Sequence, residues 1–420
     1  MKLKYLADIN RRVLPESTDP DFEFAYIDIS AVSGGGPLQV PPLATKFGSA
    51  PSRARRIAPE GSTIVSTVRT YLRAIAQVPH SDMPLVFSTG FAVLETQPDL
   101  DSRFMGYVCL SQPFIDDVVA RSVGVSYPAI NPSELGNIEV PCPSLEEQRR
   151  IADFLDAETA RIDALAATLR AVSKKLTGRR QSLVNSLVTG RDLQPRSARG
   201  GLEWAGELPD CWPTVPLKYA AKIGSGHTPS RTQPEYWENC EIPWISLFDV
   251  GRMRDVRQVV MDATAQNISE LGMENSSACL HPAGTVVLSR TASVGFSTIM
   301  GQGMAVSQHF VTWTCGDRLL PEYLLHLLRS MTQYFDSVKV GTTNVTVFMP
   351  DLHAIKIPLP SVEVQRSIIS DIENGVAVID SLSDAVERQI NLLAERRQAL
   401  ITAAVTGQFD ATTGRGADLS

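Results

Sequence analysis

Guanidinium and ammonium groups are the chemistry most visibly concentrated in this sequence. Between Lys46 and Arg73 the chain carries Lys46, Arg53, Arg55, Arg56, Arg69 and Arg73 against a single acid, Glu60. Clustered cations of this kind can displace counterions from a phosphate backbone, although the net charge of −7 argues in the opposite direction for the chain as a whole. A basic face on an acidic protein is the expectation here, with ordinary solvated charge as the alternative for each residue. Common catalytic apparatus is missing. No Gly-Lys pair supplies a phosphate-binding Walker loop, Pro229 stands where a dinucleotide fingerprint beginning at Gly224-Ser225-Gly226 needs glycine, and neither G-x-S-x-G nor H-E-x-x-H occurs. Asn131-Pro132-Ser133-Glu134 lacks the aromatic sequel with which amino-methyltransferases hold a flipped base. The six histidines are dispersed, so the chain reads as non-catalytic and without a metal site.

The elements that must position these charges are duplicated. Sliding the sequence by 217 positions aligns Val123-Gly124 with Val340-Gly341 and continues without a gap to Val188-Thr189-Gly190 over Val405-Thr406-Gly407. Gln148-Arg149 falls on Gln365-Arg366, Ile162-Asp163 on Ile379-Asp380, and Arg179-Arg180-Gln181 on Arg396-Arg397-Gln398. Upstream the echo weakens, as in Leu3-Lys4-Tyr5 against Leu217-Lys218-Tyr219. Two heads that diverge on matching supports are implied, with simple drift of loops as the alternative.

The supports read as long helices. Ile151, Leu155, Ile162, Leu165, Leu169, Val172, Leu176 and Leu183 follow steps of three and four, with Glu158 and Arg179 filling two seam positions. One repeat later the seam is Ile368, Ile372, Ile379, Leu382, Val386, Leu393 and Leu400, with Gln389 among them and interruptions at Gly375 and Arg396. Each helix starts behind Pro-x-Pro-Ser, capped by Ser144 or Ser361 with Glu147 completing a capping box in the first copy, and each stops near Gly190 or Gly407. About 40 residues make a rod of roughly 60 Å, too long for a small head to cover. The spacing predicts an antiparallel pair of rods, against the alternative of two helices packed separately on their own domains.

Alternation and turn residues mark the segments 1–140 and 216–357 as β-rich, with strands such as Ser62–Ser66 and Thr285–Ser289 and helical stretches at Ser102–Val119 and Pro321–Val338. The fold class is α+β: two similar β-rich domains separated by two long antiparallel coiled-coil helices in a pseudo-twofold repeat. No apolar run approaches the roughly 20 residues of a bilayer helix and no signal-peptide core follows Met1, which places the chain in the cytoplasm. Cys109, Cys142, Cys211, Cys240, Cys279 and Cys315 lie far apart and read as reduced packing residues.

With this architecture in view, the sequence resembles the DNA-specificity subunits of type I restriction-modification enzymes over essentially its whole length. Its signatures are Pro-x-Pro-Ser-x-Glu-x-Gln-Arg at 141–149 and again at 358–366, and Gly201-x-x-Trp204-x-Gly206-x-x-Pro209-x-x-Trp212. Gly226-x-Thr228-Pro229-Ser230, Ile242-Pro243-Trp244 and Ser289-Arg290-Thr291-x-Ser293-x-Gly295 look like the family's target-recognition domains. The first head departs from these, since Ser66-Thr67-Val68-Arg69 replaces Ser-Arg-Thr.

The resemblance implies target-recognition domains at 1–143 and 216–360, spacer helices at 144–190 and 361–407, a linker at 191–215 and a flexible tail at 408–420. Each head would read half of a bipartite double-stranded DNA target. Two modification subunits would carry S-adenosylmethionine and methylate adenine, ATP-driven restriction subunits could join them, and this chain would bind no cofactor itself. A rod longer than one DNA turn of roughly 34 Å agrees with such spacing. Within the heads, arginine can pair two donors with guanine. The candidates are Lys46, Arg53, Arg55, Arg56, Arg69 and Arg73, then Arg231, Arg252, Arg254, Arg257 and Arg290, the last favoured for its place at a strand exit. Trp204 and Trp212 are expected to clasp the linker. The competing expectation is a duplicated scaffold with protein- or glycan-binding heads.

Overall fold

Each Pro-x-Pro-Ser segment is followed by one unbroken helix of 44 residues, Leu145–Val188 and Val362–Val405. The Ser144 and Ser361 hydroxyls accept the backbone N–H groups of Glu147 and Val364 at 3.3 and 3.4 Å, while the Glu147 side chain makes no return bond, so the expected capping box is half formed. Both helices stop at a left-handed glycine, Gly190 at φ 55° and Gly407 at φ 73°. The next N–H then reaches back to a carbonyl five residues earlier, Arg191 to Ser186 and Gln408 to Ala403, the two ends matching bond for bond. The computed structural model describes residues 1–32, 38–193, 196–341 and 345–408, with backbone alone over 196–200. The tail expected at 408–420 lies outside the described residues apart from Gln408.

Two compact units divide the chain, one of residues 1–171 with those from Val386 onward, the other of residues 172–385. Each unit therefore contains a head, the start of that head's own long helix and the end of the other one. Within the first unit Arg397 Nε lies 3.2 Å from the Asp163 carboxylate, and within the second Arg180 Nε lies 3.3 Å from that of Asp380. The 217-residue shift carries Asp163 to Asp380 and Arg180 to Arg397. The two ion pairs are thus one contact made twice, the signature of an antiparallel, self-complementary seam. Where Leu183 meets Gly375, a Cβ on the glycine would come within 2.6 Å of Leu183 Cδ2, so this glycine admits the facing side chain rather than interrupting the rod.

Half of the seam expected from the sequence is one residue out of phase. Leu155 and Ile162 are buried and Leu169, Leu176 and Leu183 partly so, but Leu165, Val172 and Leu382 are exposed, and Glu158, Arg179 and Gln389 also give way to their neighbours. The inward positions are Ala152, Thr159, Ala166, Ser173 and Arg180, matched by Ile369, Val376, Ser383, Ile390 and Arg397. In the first helix small and polar residues line this row. A large-apolar criterion passes over them in favour of the leucine one position earlier.

The first head has two four-stranded sheets. One runs in the spatial order Ala7–Ile9, Phe91–Thr96, Thr63–Ser66, Ile75–Gln77 and is antiparallel throughout. The other is Thr45–Lys46, Glu23–Ile27, Leu85–Ser88, Ala54–Ile57, with a parallel central pair. The second head repeats the plan with Ala221–Ser225, Phe310–Cys315, Val286–Ser289 and Ser297–Met300, but adds Val260–Met261 in parallel along the last strand. Its other sheet is Gln266–Ile268, Ile242–Ile245 and Ala305–Val306. The single helical stretches expected late in each head are two helices each, Ser102–Leu110 with Gln112–Ala120 and Pro321–Ser330 with Thr332–Val338.

The heads are latched to their helices by a buried glutamine from the repeated Gln-Arg motif. Gln148 Oε1 accepts the Asp101 N–H at 2.8 Å while its amide donates to the Asp99 and Pro143 carbonyls. Gln365 repeats this with the Leu320 N–H and the Arg318 and Pro360 carbonyls. Both side chains are fully buried, which is tolerable because every polar atom has a partner.

The stretch 191–215 is more than a linker. Arg196–Leu202 and Gly206–Pro209 pair as a hairpin, Thr214–Pro216 pairs with Lys356–Pro358, and Trp212 is buried in the second head's core. Trp204 donates its indole N–H to the Lys356 carbonyl. All six cysteines are free, yet Cys211 and Cys279 are exposed and so are not packing residues. No helix among the described residues is long and apolar enough to cross a membrane.

Two predictions follow the burial of polar groups. Gln148→Ala or Gln365→Ala should cost about 2–4 kcal/mol, because an N–H and two carbonyls lose their partner, and a lowered urea midpoint would report it. His326 is buried in the second unit, where desolvation first, then Arg329 and Arg180, push its pKa down to about 4. The unfolded chain takes up this proton near pH 6.5, so the contribution of His326 to stability is complete above that pH and is lost progressively towards pH 4. His326→Leu should flatten the fall of the unfolding midpoint across that window relative to the unmodified chain.

Candidate nucleic-acid interface

The clearest shared surface feature lies where a central strand of each head ends. In the first head Ser66 closes the strand Thr63–Ser66 and its hydroxyl donates to the Val68 carbonyl at 2.6 Å. In the second, Ser289 closes Val286–Ser289 and its hydroxyl donates to the Thr291 carbonyl at 3.4 Å. Three residues after each serine, the chain turns left-handed at a residue with a side chain, Arg69 at φ 51° and Ala292 at φ 63°. Their N–H groups donate to the Pro128 and Val345 carbonyls, each at 2.8 Å, and these acceptors are again 217 residues apart. Non-glycine residues in this conformation are costly and concentrate at functional sites.

This superposition shows where the first head's arginine has gone. Arg290 occupies the position of Thr67, whose hydroxyl bonds the Gly90 carbonyl. Arg290 instead donates Nε to the Gln308 carbonyl at 3.1 Å and Nη1 to the Val347 carbonyl at 3.4 Å, and burial lowers its pKa. It therefore staples two backbone segments. Arg69, at the position of Ala292, is exposed and its guanidinium sits 5.1 Å from the Tyr127 ring centroid.

Around Arg69 the first head presents a compact knuckle. The single turn Thr70–Leu72 is bracketed by Arg69 and Arg73, both left-handed, and Thr70 is held by a 2.9 Å bond to Ser122. Tyr71, Val125 and Tyr127 are exposed beside the cations. Flat rings next to guanidinium groups suit contact with bases and sugars as well as phosphates. The three uncharged residues were not among those expected from the sequence. The Val123-Gly124/Val340-Gly341 match was the signal that could have pointed to their loop, since both glycines are left-handed, at φ 114° and 111°.

The other candidate cations are distributed rather than gathered into one cluster. Arg53 donates to the Tyr26 hydroxyl at 3.0 Å, Arg55 lies over Phe47, and Lys46 pairs with Asp21, all on or beside the second sheet. Arg56 is partly buried, and desolvation lowers its pKa. In the second head the Arg231 guanidinium sits over Trp237, 3.7 Å from the ring centroid, and donates to Gln266, which fixes a planar cation at the surface. Arg252 bonds the Ala263 carbonyl, and Arg254 reaches Ser293 in the loop containing Ala292. Arg257 is engaged by Asp384 at 2.6 Å and by Asp380 on the long helix, an architectural pairing. Among the described residues no group of three or more His, Cys, Asp or Glu side chains is placed to hold a metal ion.

The two loop arginines should separate in a stability measurement. Arg290→Ala should lower the free energy of unfolding by about 1–3 kcal/mol through two orphaned carbonyls, whereas Arg69→Ala should change it by less than about 0.5 kcal/mol. Equal effects in chemical denaturation would contradict the assignment.

Comparison with known proteins agrees with this duplicated design. The type I restriction modification DNA specificity domain matches residues 23–173 and again 209–391. The MjaIX type I restriction enzyme specificity subunit of Methanocaldococcus jannaschii is 26% identical over 190 residues, 45% of this chain and 42% of that subunit. The EcoR124I/EcoR124II specificity subunit of Escherichia coli is 25% identical over 269 residues, 61% of this chain and 59% of the relative. These alignments thus span about half of the relatives' length. A solved structure concerned with assembly and conformational transition of a type I R-M system superimposes with a TM-score of 0.67 at 24% identity, covering 96% of both chains, which shows the fold. The chain belongs to the type I restriction-modification DNA specificity family.

Proposed function

We propose that this chain is the DNA-reading, non-catalytic subunit of a type I restriction-modification complex, each head recognising one half of a bipartite target. The observation that carries the reading is the matched pair of strand-exit loops, built on the same backbone bonds but presenting Arg69 in one head and Ala292 in the other. Two readers with a common frame and different side chains suit two unlike half-sites. The long helices would fix the unread gap between the halves. Two modification subunits carrying S-adenosylmethionine would methylate adenine at the sites so chosen, and ATP-dependent restriction subunits would join the same assembly. The acidic balance of the chain leaves much of the phosphate attraction to those partners.

Sequencing of methylated adenines in cells that carry the chain with its modification subunits tests this directly. Arg69→Ala should relax or abolish recognition at positions in one half of the motif, corresponding to about 1–3 kcal/mol of lost discrimination, and leave the other half and the gap unchanged. Adenine methylation that persists unaltered when the chain is deleted would refute the reading.

A further inference from the structure

The two heads differ at a second place, independent of DNA reading. In the second unit the segment before Val260–Met261 packs against the seam ion pair and the sheet edge. The Val256 carbonyl accepts Arg180 Nη2 at 3.2 Å and Arg329 Nη1 at 2.7 Å, Arg257 pairs with Asp380 and Asp384, and the Val259 carbonyl accepts the Ile299 N–H at 3.0 Å. The repeat places Arg397 and Asp163 at the positions of Arg180 and Asp380. Matching the sheet registers and the glutamine latches places Gln77 at Ile299 and Leu110 at Arg329.

Those four counterparts, Arg397, Asp163, Gln77 and Leu110, line one cavity of about 260 Å³ in the first unit. Arg397 Nε lies 3.2 Å from the Asp163 carboxylate but makes no hydrogen bond, and neither do its two Nη groups among the described residues, whereas Arg180 donates Nε to Asp380 and Nη2 to a carbonyl. The bonds Ser66 N–H to Ala74 and Val78 N–H to Ser62 set the alternation of the edge strand, so the backbone groups of Gln77 point away from the sheet. Among the described residues no strand covers this edge, in contrast to Val260–Met261 in the other head. The cavity is smaller than the roughly 300–1,000 Å³ of cofactor sites and suits a short stretch of chain.

We propose that this cavity is a docking site for an extended, arginine-bearing segment of a partner polypeptide. A partner carbonyl would accept from Arg397, the next residue's guanidinium would pair with Asp163, and a further carbonyl would accept from the Gln77 N–H, a subset of the contacts of residues 256–259 in the second unit, because Ala167 and Leu110 stand where that unit has Asp384 and Arg329. Pro79 lacks the N–H that Gly301 donates to the Met261 carbonyl, which limits pairing to this short stretch.

The test uses a fluorescent peptide copying residues 253–261 of this chain, titrated into the full-length protein and followed by anisotropy. Saturable binding is expected, weakened by about tenfold or more when the peptide carries Arg257→Ala. Gly106 lines the cavity, and a Cβ there would meet Thr63 and Gln77 only at ordinary contact distances of 3.7 and 3.8 Å. Gly106→Leu in the protein should therefore project into the space and abolish binding, with the melting temperature recorded alongside to show that the variant is folded. Absence of binding to the unmodified chain, equal binding of the Arg257→Ala peptide, or equal binding to a folded Gly106→Leu protein would each overturn the proposal. If Gly106→Leu fails to fold, the comparison of the two peptides on the unmodified chain decides. None of these readouts involves DNA or methylation, so they stand apart from the proposed function.

Discussion

The constraint on which the rest depends is that a helix of 44 residues cannot bury its apolar stripe against one small head. In this chain the stripe is buried by the matching helix of the other repeat, running the opposite way. Asp163 with Arg397 and Arg180 with Asp380 fix the register, and because each pair is the repeat image of the other, the seam is self-complementary as in a twofold dimer. Ile401, Ala404 and Val405 consequently lie in the first head's core, and Val184 and Val188 in the second's. The first unit is assembled from two separate stretches of sequence, and the second is the continuous stretch 172–385. Each is completed by residues from the far end of the other repeat.

A frame specified in this way leaves the head surfaces free to diverge. The glutamine latches, the glycine stops and the strand-exit hydrogen bonds are conserved between the two copies within this one chain, down to individual carbonyls. What changes is which side chain the frame presents. An arginine is used as a buried staple in one loop and displayed against a tyrosine in the other, and among the described residues the segment that seals the sheet edge of the second head has no counterpart pairing along that edge in the first. Separation of a conserved scaffold from variable contacts is what reading two different half-sites requires.

Much of this was legible in the sequence, for reasons that can be named. Proline, serine and glycine mark the ends of the long helices because those residues restrict backbone conformation locally. The duplication shows in gapless identities such as Gln148-Arg149/Gln365-Arg366, which the buried latch now explains. The phase of the seam was only half legible, because Ala166 and Ser173 achieve close approach by being small, whereas Leu165 and Val172 merely look like core residues. Least legible were the roles of single arginines. Arg257 and Arg290 differ from Arg69 only in what faces them across the fold, and that depends on carbonyls and carboxylates many residues away. The fold of 191–215 was hidden similarly, since the partner of Thr214–Pro216 is Lys356–Pro358.

The central claim, two readers on one DNA target, is tested most directly by photo-crosslinking in the assembled complex with modification subunits and a duplex containing the motif. A photoreactive side chain at Val125 in the first head and another at Phe348 in the second, both exposed positions, would report the bases they meet. The account predicts crosslinks from the two positions to opposite halves of the same target, with none in the gap. Crosslinks from both positions to one half, or from neither to the motif, would contradict it.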